Sequence, residues 1–375
     1  MPLYLNDEQT MLRDTARDFV AEHAPVRHLR ALRDANDETG FSRDLWRQFA
    51  EMGFTGMMVP EAQGGLGLGH VEAGVVMEEI GRNLSPSPFL TTSVAAVAAL
   101  DGTAHAERWF PAIVAGDAIT ALAVDEGAKH DGRVAMAAER SGNGFRLSGA
   151  KRFVHHAHVA DLILVAARTA GSADDADGIT LFALPRDSNG LTADPRRLAD
   201  SSLASEVRFD GVVVDADAVV GEVDGGRAVI DRMLAAGRTG VASELLGVGG
   251  GAMDMTTDYL KQRRQFGQPI GSFQALQHRA AHLYAEMEVA RAAVLKAQQL
   301  LDAGDPRAAQ ATAVAKAMTG LATTLAVQEG VQMHGGIGMT DEYDIGFYMK
   351  RARVLAELFG DSNFHADALA RDSGY

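Results

Sequence analysis

The chain has 375 residues, of which 47% are hydrophobic and 23% charged, as is usual for a globular protein with more than one domain. Its formal net charge of −15 argues against nucleic acid and anionic membranes as partners, because both demand a basic face. The chain contains no cysteine, which excludes disulfides and thiolate chemistry. It has neither a basic, apolar leader nor an apolar run of about 18 residues, so we expect a cytoplasmic protein.

Helical patterns dominate the first third of the chain. Its predicted helices lie at 6–21, 42–53, 71–81 and 91–110. Asn6 and Ser42 are predicted to cap the first two, because their side chains can accept from free backbone N–H groups. The glycine-rich stretch 59–69 is predicted to be a loop. We expect residues 1–116 to form an α-helical domain.

The periodicity changes in residues 117–224, where short apolar runs are bounded by Gly, Asp and Asn. The predicted strands lie at 119–124, 144–148, 162–167, 179–185 and 204–214. The acidic stretch 169–178 is predicted to be a solvated hairpin loop between two of them. We expect this segment to form a compact β domain.

Long helices return in residues 225–375. They are predicted at 228–265, 273–301, 306–333 and 344–358, with Pro306 in a first turn that tolerates proline. Four such helices would pack as a bundle, and their Ala-rich faces would allow close neighbours, including those on another subunit. The segment 247–252, Gly-Val-Gly-Gly-Gly-Ala, lies inside a helical pattern and does not follow a strand. It therefore predicts tight helix packing and not a dinucleotide-binding loop.

Three histidines, His155, His156 and His158, form a cluster that suggests a metal site. On a strand, His156 and His158 would share one face while His155 points to the other, and no nearby carboxylate offers a third ligand. We expect no metal site here, and a surface or ligand-edge role for the histidines.

The first bundle helix ends in basic and aromatic residues. Arg263, Arg264 and Phe266 precede a turn at Gly267, with Pro269 beyond it. Guanidinium groups and a stacking ring at an exposed helix end suit the pyrophosphate and adenine of a dinucleotide. An ordinary basic helix C-terminus is the alternative interpretation of the same residues.

Three motifs in one order give the chain a family resemblance. The stretch 59–67 (VPEAQGGLG), the stretch 263–270 (RRQFGQPI) and the stretch 332–338 (QMHGGIG) resemble motifs of acyl-CoA dehydrogenases, and the similarity covers nearly the whole chain. The resemblance implies an N-terminal helical domain, a central β-barrel and a C-terminal four-helix bundle. It also implies a homo- or hetero-oligomer in which subunits share each FAD.

The resemblance implies a reaction and a cofactor site. Family members convert an acyl-CoA thioester to a trans-2-enoyl-CoA with FAD as hydride acceptor, and pass electrons to an electron-transfer flavoprotein. By resemblance, five residues would contact FAD lodged mainly in the adjacent chain: Arg263, Phe266, Gln332, Gly335 and Gly336. The sequence does not indicate the length or shape of the acyl group.

The usual catalytic base is missing. The family's glutamate matches Phe359, and its second known location, beside the arginine that matches Arg238, is Gly237. Arg238 itself is expected at the substrate. The base is therefore unknown. Three carboxylates could replace it: Asp361, Glu357 and Glu244. Each has an ordinary alternative role. Asp361 could start a helix, and the two glutamates could lie on solvated helix faces.

The chain's own flavin-ring segments also depart from the family. Phe153 stands where the family has Trp, and Asp125 and His155 replace two threonines, while Asp361 matches a third FAD contact. These differences leave three hypotheses open. The chain is a self-sufficient dehydrogenase with an unusual base, a silent partner in a heteromeric and possibly steroid side-chain dehydrogenase, or a relative that uses flavin or acyl-CoA without this reaction.

Overall fold

The computed structural model describes residues 2–375. Its helices are α1 (Asp7–His23), α2 (Val26–Asp34), α3 (Arg43–Glu51), α4 (His70–Arg82), α5 (Val97–Leu100), α6 (Ala104–Val114), α7 (Gly226–Gln262), α8 (Gln274–Asp302), α9 (Ala308–His334), α10 (Ile345–Glu357) and α11 (Ser362–Asp372). Its strands are β1 (Thr120–Ala123), β2 (Ala137–Ser141), β3 (Gly144–His155), β4 (Leu162–Arg168), β5 (Ile179–Pro185), β6 (Leu191–Arg197), β7 (Leu203–Val214), β8 (Val219–Val220), β9 (Arg264–Gln265) and β10 (Gln268–Pro269). The predicted order of helical, β and helical segments is confirmed.

Side-chain caps fix the first helix starts. The Asn6 side chain accepts from the Gln9 amide at 2.8 Å, and the Gln9 side chain accepts from the Asn6 amide, which completes a capping box. The Ser42 hydroxyl accepts from the Leu45 amide at 3.1 Å. Both predicted caps are therefore confirmed.

The single helix predicted over 91–110 is wrong. The chain forms a π-helix over Leu90–Ala96, continues as α5, and then turns at residues 101–103 before α6 begins. Gly102 adopts a left-handed φ of 72°, a conformation that glycine reaches without steric cost. The apolar residues on both sides of the turn concealed it, because their spacing continues across the break.

The central strands form one eight-stranded sheet in the order β6-β7-β3-β2-β4-β5-β8, with β1 beside β4. The β1–β4 ladder is parallel, and the long β3–β7 and β4–β5 ladders are antiparallel. Its core includes Phe145, Phe182 and Phe209. The predicted hairpin loop at 169–178 joins β4 to β5. Two polar strands, β2 and β6, were not predicted.

Internal contacts divide the described chain into two compact units. One unit contains 36–69 and 87–237, and so includes the sheet. The other contains residues up to 35, 70–86 and 238–375. Within this second unit, α9 packs against α8, α10 and α11. The domain limits 1–116, 117–224 and 225–375 stay a prediction.

Glycines let α7 approach α4 closely. A Cβ on Gly247 would lie 1.9 Å from the Glu78 carbonyl oxygen, and one on Gly251 would lie 2.6 Å from the Arg82 carbonyl oxygen. Because a side chain cannot occupy either place, the two helix backbones meet directly. The segment 247–252 lies within continuous α7, so the predicted packing role is confirmed.

Candidate functional site

The basic and aromatic motif forms a hairpin that projects from the end of α7. β9 pairs with β10, and the turn between them contains Phe266 at φ 52° and Gly267 at φ 79°. Two successive positive φ values are typical of a type I′ turn, which matches the twist of paired strands. The Phe266 side chain is 89% exposed and meets Phe273 edge to face, with ring centroids 6.2 Å apart. An aromatic ring is thus presented outward.

A glycine turn ends α9. Gly335 has φ 64° and ψ −140°, a conformation essentially confined to glycine. A Cβ on Gly335 or Gly336 would meet no atom within 4 Å, so open space lies beside both residues. The side chain of Gln332, one turn earlier, is exposed. The turn therefore offers backbone and an amide to a group outside the chain.

Packed rings hold the two motifs at the same end of the bundle. Tyr259, in the last turn of α7, lies 4.5 Å from His334, the last residue of α9, measured between ring centroids. Tyr343 packs on His334 at 4.8 Å. Burial lowers the pKa of His334, whose Nδ1 lies 2.7 Å from the Gly330 carbonyl oxygen and donates to it. A neutral imidazole thus links the two helix ends.

These groups fit the nucleotide part of a dinucleotide cofactor. Arg263 is exposed beside the hairpin and can pair with phosphate oxygens, while the ring of Phe266 can stack on a base. At Gly335 and Gly336 a ligand can approach the backbone without meeting a Cβ. The fit concerns a ligand outside this chain's own core, because all of these residues are exposed.

The connector between α10 and α11, residues 358–361, contains the expected base position. Phe359 has a left-handed φ of 58° and is 3% exposed, and Gly360 has φ 105°. The Arg238 Nε, on α7, donates to the Phe359 carbonyl oxygen at 3.0 Å. Phe359, at the position expected for the glutamate, therefore lies next to Arg238, which adjoins the second expected position, Gly237. The side chain of Phe359 cannot accept a proton.

The three candidate replacement carboxylates have other partners. Glu244 is 2% exposed, and its Oε1 accepts from Arg351 Nε at 2.8 Å, so the expectation of a solvated helix face is wrong for this residue. Glu357 pairs with Arg353 on the same helix at 2.8 Å. Asp361 accepts from the Phe364 amide at 2.8 Å and is the N-cap of α11, as its helix-start interpretation predicts.

A buried lysine contacts the same connector and was missed by the sequence analysis. The Lys316 side chain is fully buried, and its Nζ donates to the Ala356 carbonyl oxygen at 3.0 Å and to the Gly360 carbonyl oxygen at 2.9 Å. Burial, with a contribution from Arg238, lowers its pKa to about 7. The available signal was a lysine among the mostly apolar residues of α9. Its hydrogen-bond partners could not be inferred, because they lie about forty residues away in the sequence.

The sheet-containing unit holds the residues expected at the flavin ring. Phe153 is 48% exposed and has φ 53°, and His155 ends β3 opposite Ala204. Asp125 Oδ1 lies 2.6 Å from His130 Nδ1. The Arg152 amide donates to the Asp125 carbonyl oxygen at 2.7 Å, so Asp125 lies beside β3, and its side chain is already paired.

An ion pair between the buried Lys151 and the partly buried Glu126 orders the loop before β2. Lys151 Nζ donates to Glu126 at 2.6 Å, and the same carboxylate accepts from the Ala135 and Met136 amides at 3.0 Å. Burial lowers the pKa of Lys151, and the nearby Glu126 carboxylate opposes that shift. The loop that follows β1 is thus tied to β3 by its own charges.

The three histidines do not share a strand face. His156 lies beyond β3 with φ 62°, so the strand spacing assumed for His156 and His158 is wrong. His156 Nδ1 lies 3.4 Å from Thr91 Oγ1, and His158 Nε2 lies 3.2 Å from the Thr39 carbonyl oxygen. Within residues 2–375, no group of three or more His, Cys, Asp or Glu side chains is arranged to hold a metal ion.

None of the helices described in residues 2–375 has an apolar stretch long enough to span a bilayer.

Comparison with known proteins gives concordant matches along the chain. Three family models match: "Acyl-CoA dehydrogenase, N-terminal domain" over residues 6–117, the corresponding middle domain over 124–212, and the C-terminal domain over 224–374. The "Acyl-CoA dehydrogenase IpdE2" of Mycobacterium tuberculosis is 33% identical over 356 residues, which cover 94% of this chain and 93% of that protein.

Two solved structures share the fold over nearly their full length. A variant of the "Tcur3481-Tcur3483 steroid ACAD" has a TM-score of 0.88 and 32% identity, covering 97% of each chain. The "ChsE4-ChsE5 complex" from Mycobacterium tuberculosis has a TM-score of 0.91 and 26% identity, covering 100% of this chain and 99% of that one.

Proposed function

The chain belongs to the acyl-CoA dehydrogenase family, and we propose that it takes part in the FAD-dependent α,β-dehydrogenation of an acyl-CoA thioester to a trans-2-enoyl-CoA. Its proposed role is that of a companion subunit. It completes the nucleotide side of an FAD site in a related subunit, and that subunit supplies the carboxylate that removes the α-proton. The observation that carries the proposal is the buried Phe359 at the family's base position, beside Arg238.

The carboxylates near Phe359 already have hydrogen-bond partners, which supports the companion role. A general base must reach the proton that it takes and be free to accept it. Glu244 is engaged by Arg351, and Asp361 is engaged by the first turn of α11. A self-sufficient enzyme would have to release one of these groups from its partner during each turnover, which costs the interaction that now holds it.

The exposed residues of the hairpin and of the glycine turn after α9 support the same role. Phe266 and Arg263 project from the bundle on a hairpin, and Gly335 and Gly336 leave open space at the same end. In this proposal, Arg263 pairs with pyrophosphate oxygens, Phe266 covers the adenine, and the exposed amide of Gln332 donates to the cofactor. When bound, FAD accepts the hydride from the β-carbon, and an electron-transfer flavoprotein is the proposed next acceptor.

A bulky polycyclic acyl group is the proposed substrate class. The support is the likeness to the Tcur3481-Tcur3483 steroid ACAD, whose name includes the word steroid. That name and the name of the ChsE4-ChsE5 complex each join two designations, which favours an assembly of two different proteins. The proposed partner is accordingly a related acyl-CoA dehydrogenase subunit that carries the glutamate absent here.

The test compares the chain alone with the chain co-expressed with a family member encoded beside it. We expect the chain alone to reduce no artificial acceptor with a steroid side-chain acyl-CoA, and the pair to be yellow and active. If the isolated chain turns over acyl-CoA, the companion role is refuted.

Matched variants identify the groups that hold the cofactor. Arg263→Ala and Phe266→Ala should each lower the ratio of flavin to protein in the purified pair by severalfold, since each removes a charged fork or a stacking surface. Arg371→Ala and Met11→Ala, at exposed positions elsewhere, are the controls and should leave that ratio unchanged. Full flavin retention in both hairpin variants would contradict the assignment.

A further inference from the structure

The connector between α10 and α11 has an unusual backbone for a buried segment. Phe359 and Gly360 both have positive φ, and α10 ends just before them, with the Leu358 amide donating to the Val354 carbonyl oxygen. A Cβ on Gly360 would lie 2.5 Å from the Phe364 ring. A left-handed non-glycine residue costs free energy and persists only when its surroundings hold it. Something other than helical hydrogen bonding must therefore fix this path.

Two basic side chains supply that fixation. Lys316, on α9, donates to the carbonyl oxygens of Ala356 and Gly360, and Arg238, on α7, donates to that of Phe359. A hydrogen bond from a charged donor such as Arg238 is about twice as strong as a neutral one. These donors come from two different helices and take three carbonyl groups within five residues. The connector is thus clamped through its backbone.

Further contacts place the clamp on α9. Ser362 Oγ donates to the Ala317 carbonyl oxygen at 3.0 Å, and a Cβ on Gly320 would lie 2.6 Å from that Oγ. The start of α11 therefore lies directly on the face of α9 that presents Lys316. No part of this arrangement uses the side chain of Phe359.

We infer that Lys316 is a positioning residue which, together with Arg238, holds residue 359 in a fixed place whatever side chain that residue carries. The support that orients this position is present here, although the side chain at the position is Phe359 and not a carboxylate. The bearing of this inference on dehydrogenation rests on the proposed function, but its test requires neither flavin nor a partner.

The absence of cysteine makes the test direct. Phe359→Cys gives the chain a single thiol in the connector, and Val248→Cys gives a single thiol in the fully buried part of α7. A buried thiol reacts with a disulfide reagent only when its surroundings open, so the labelling rate reports that opening. Lys316→Met removes the donors and keeps a side chain of similar length. Lys261→Met, at an exposed position, is the matched control.

We expect Lys316→Met to raise the labelling rate of the Cys at 359 by about tenfold or more, because two buried hydrogen bonds are lost and two carbonyl oxygens are left without their donor. The rate at 248 should change much less, and Lys261→Met should change neither. An equal acceleration at 359 and 248 would mean general destabilisation and overturn the inference, as would no acceleration at 359.

A second measurement avoids the cysteine at 359. Hydrogen exchange of the Gly360 and Phe364 amides is followed in the otherwise unchanged chain, with and without Lys316→Met. These amides donate to the Glu357 carbonyl oxygen and to the Asp361 carboxylate, so they report the connector itself. We expect faster exchange at both while α8 is unaffected. Unchanged exchange would refute the positioning role even if the thiol variants failed to fold.

Discussion

A rise in pH is expected to stabilise this protein through Lys316. The group lies between α9 and the connector, where Arg238 opposes its charge and Asp361 and Glu357 favour it. Its pKa falls from an ordinary value of 10.5 to about 7 in the folded chain, chiefly because burial penalises the ammonium form. Between these two values the unfolded chain binds a proton that the folded chain has released. Stability therefore rises with pH across this window.

The size of the effect follows from the width of that window. One pKa unit corresponds to about 1.4 kcal/mol, so raising the pH from about 7.5 to about 9.5 should add roughly 2 to 3 kcal/mol to the free energy of unfolding. Below pH 7 the contribution is flat, because the lysine is protonated in both states. The neutral amine still has two N–H groups for the Ala356 and Gly360 carbonyl oxygens.

The measurement is urea unfolding at several pH values for the natural chain and for Lys316→Met. Far-UV circular dichroism is the appropriate signal, because the only tryptophans, Trp46 and Trp109, lie in the unit that does not contain Lys316. Other groups titrate in both proteins and cancel in the difference. Parallel pH profiles for the two proteins would refute a lowered pKa for Lys316.

Two further outcomes concern helix packing and the connector. Gly247→Ala should destabilise the chain by at least about 2 kcal/mol in thermal or urea unfolding, because its Cβ would meet the Glu78 backbone. Gly250→Ala is the control. Its Cβ would meet only the movable end of the Arg82 side chain, so its effect on stability should be nearly neutral. Equal effects would contradict the backbone contact. Asp361→Asn should preserve both stability and the activity of the assembled enzyme, while Asp361→Ala should lose about 1 kcal/mol as a cap is removed. Loss of activity in both variants, with the stability of the asparagine variant unchanged, would instead identify Asp361 as the base.

Local signals in the sequence predicted much of the fold. Asn6 and Ser42 cap helices because a cap requires only a side chain and an amide three residues away. The strand β5 was predicted with its observed limits, since its apolar run stands between clear breakers. β6 was missed because Asp194 and Arg196 are polar and Pro195 lacks an N–H donor. All three are exposed, as an edge strand permits.

Long-range contacts explain what the sequence left open at the site. Glu244 and Arg351 are 107 positions apart, so their ion pair could not be inferred from spacing. The Lys316 contacts join α9 to a connector that has no helical or strand pattern. The motif at 263–267 was predicted as a helix end, and the structure refines it to a hairpin whose tip is Phe266. Its contact with FAD stays a prediction.

The outward hairpin has a practical consequence for handling the protein. Phe266, at the hairpin tip, is 89% exposed, and Met339, in the turn after α9, is 78% exposed. A single copy of the chain thus exposes two large apolar side chains to water. Exposed apolar side chains promote self-association. Because the chain has no cysteine, the resulting aggregates would not be cross-linked by disulfides. Recombinant yield and colloidal behaviour should accordingly improve when a second polypeptide is produced in the same cell to cover them.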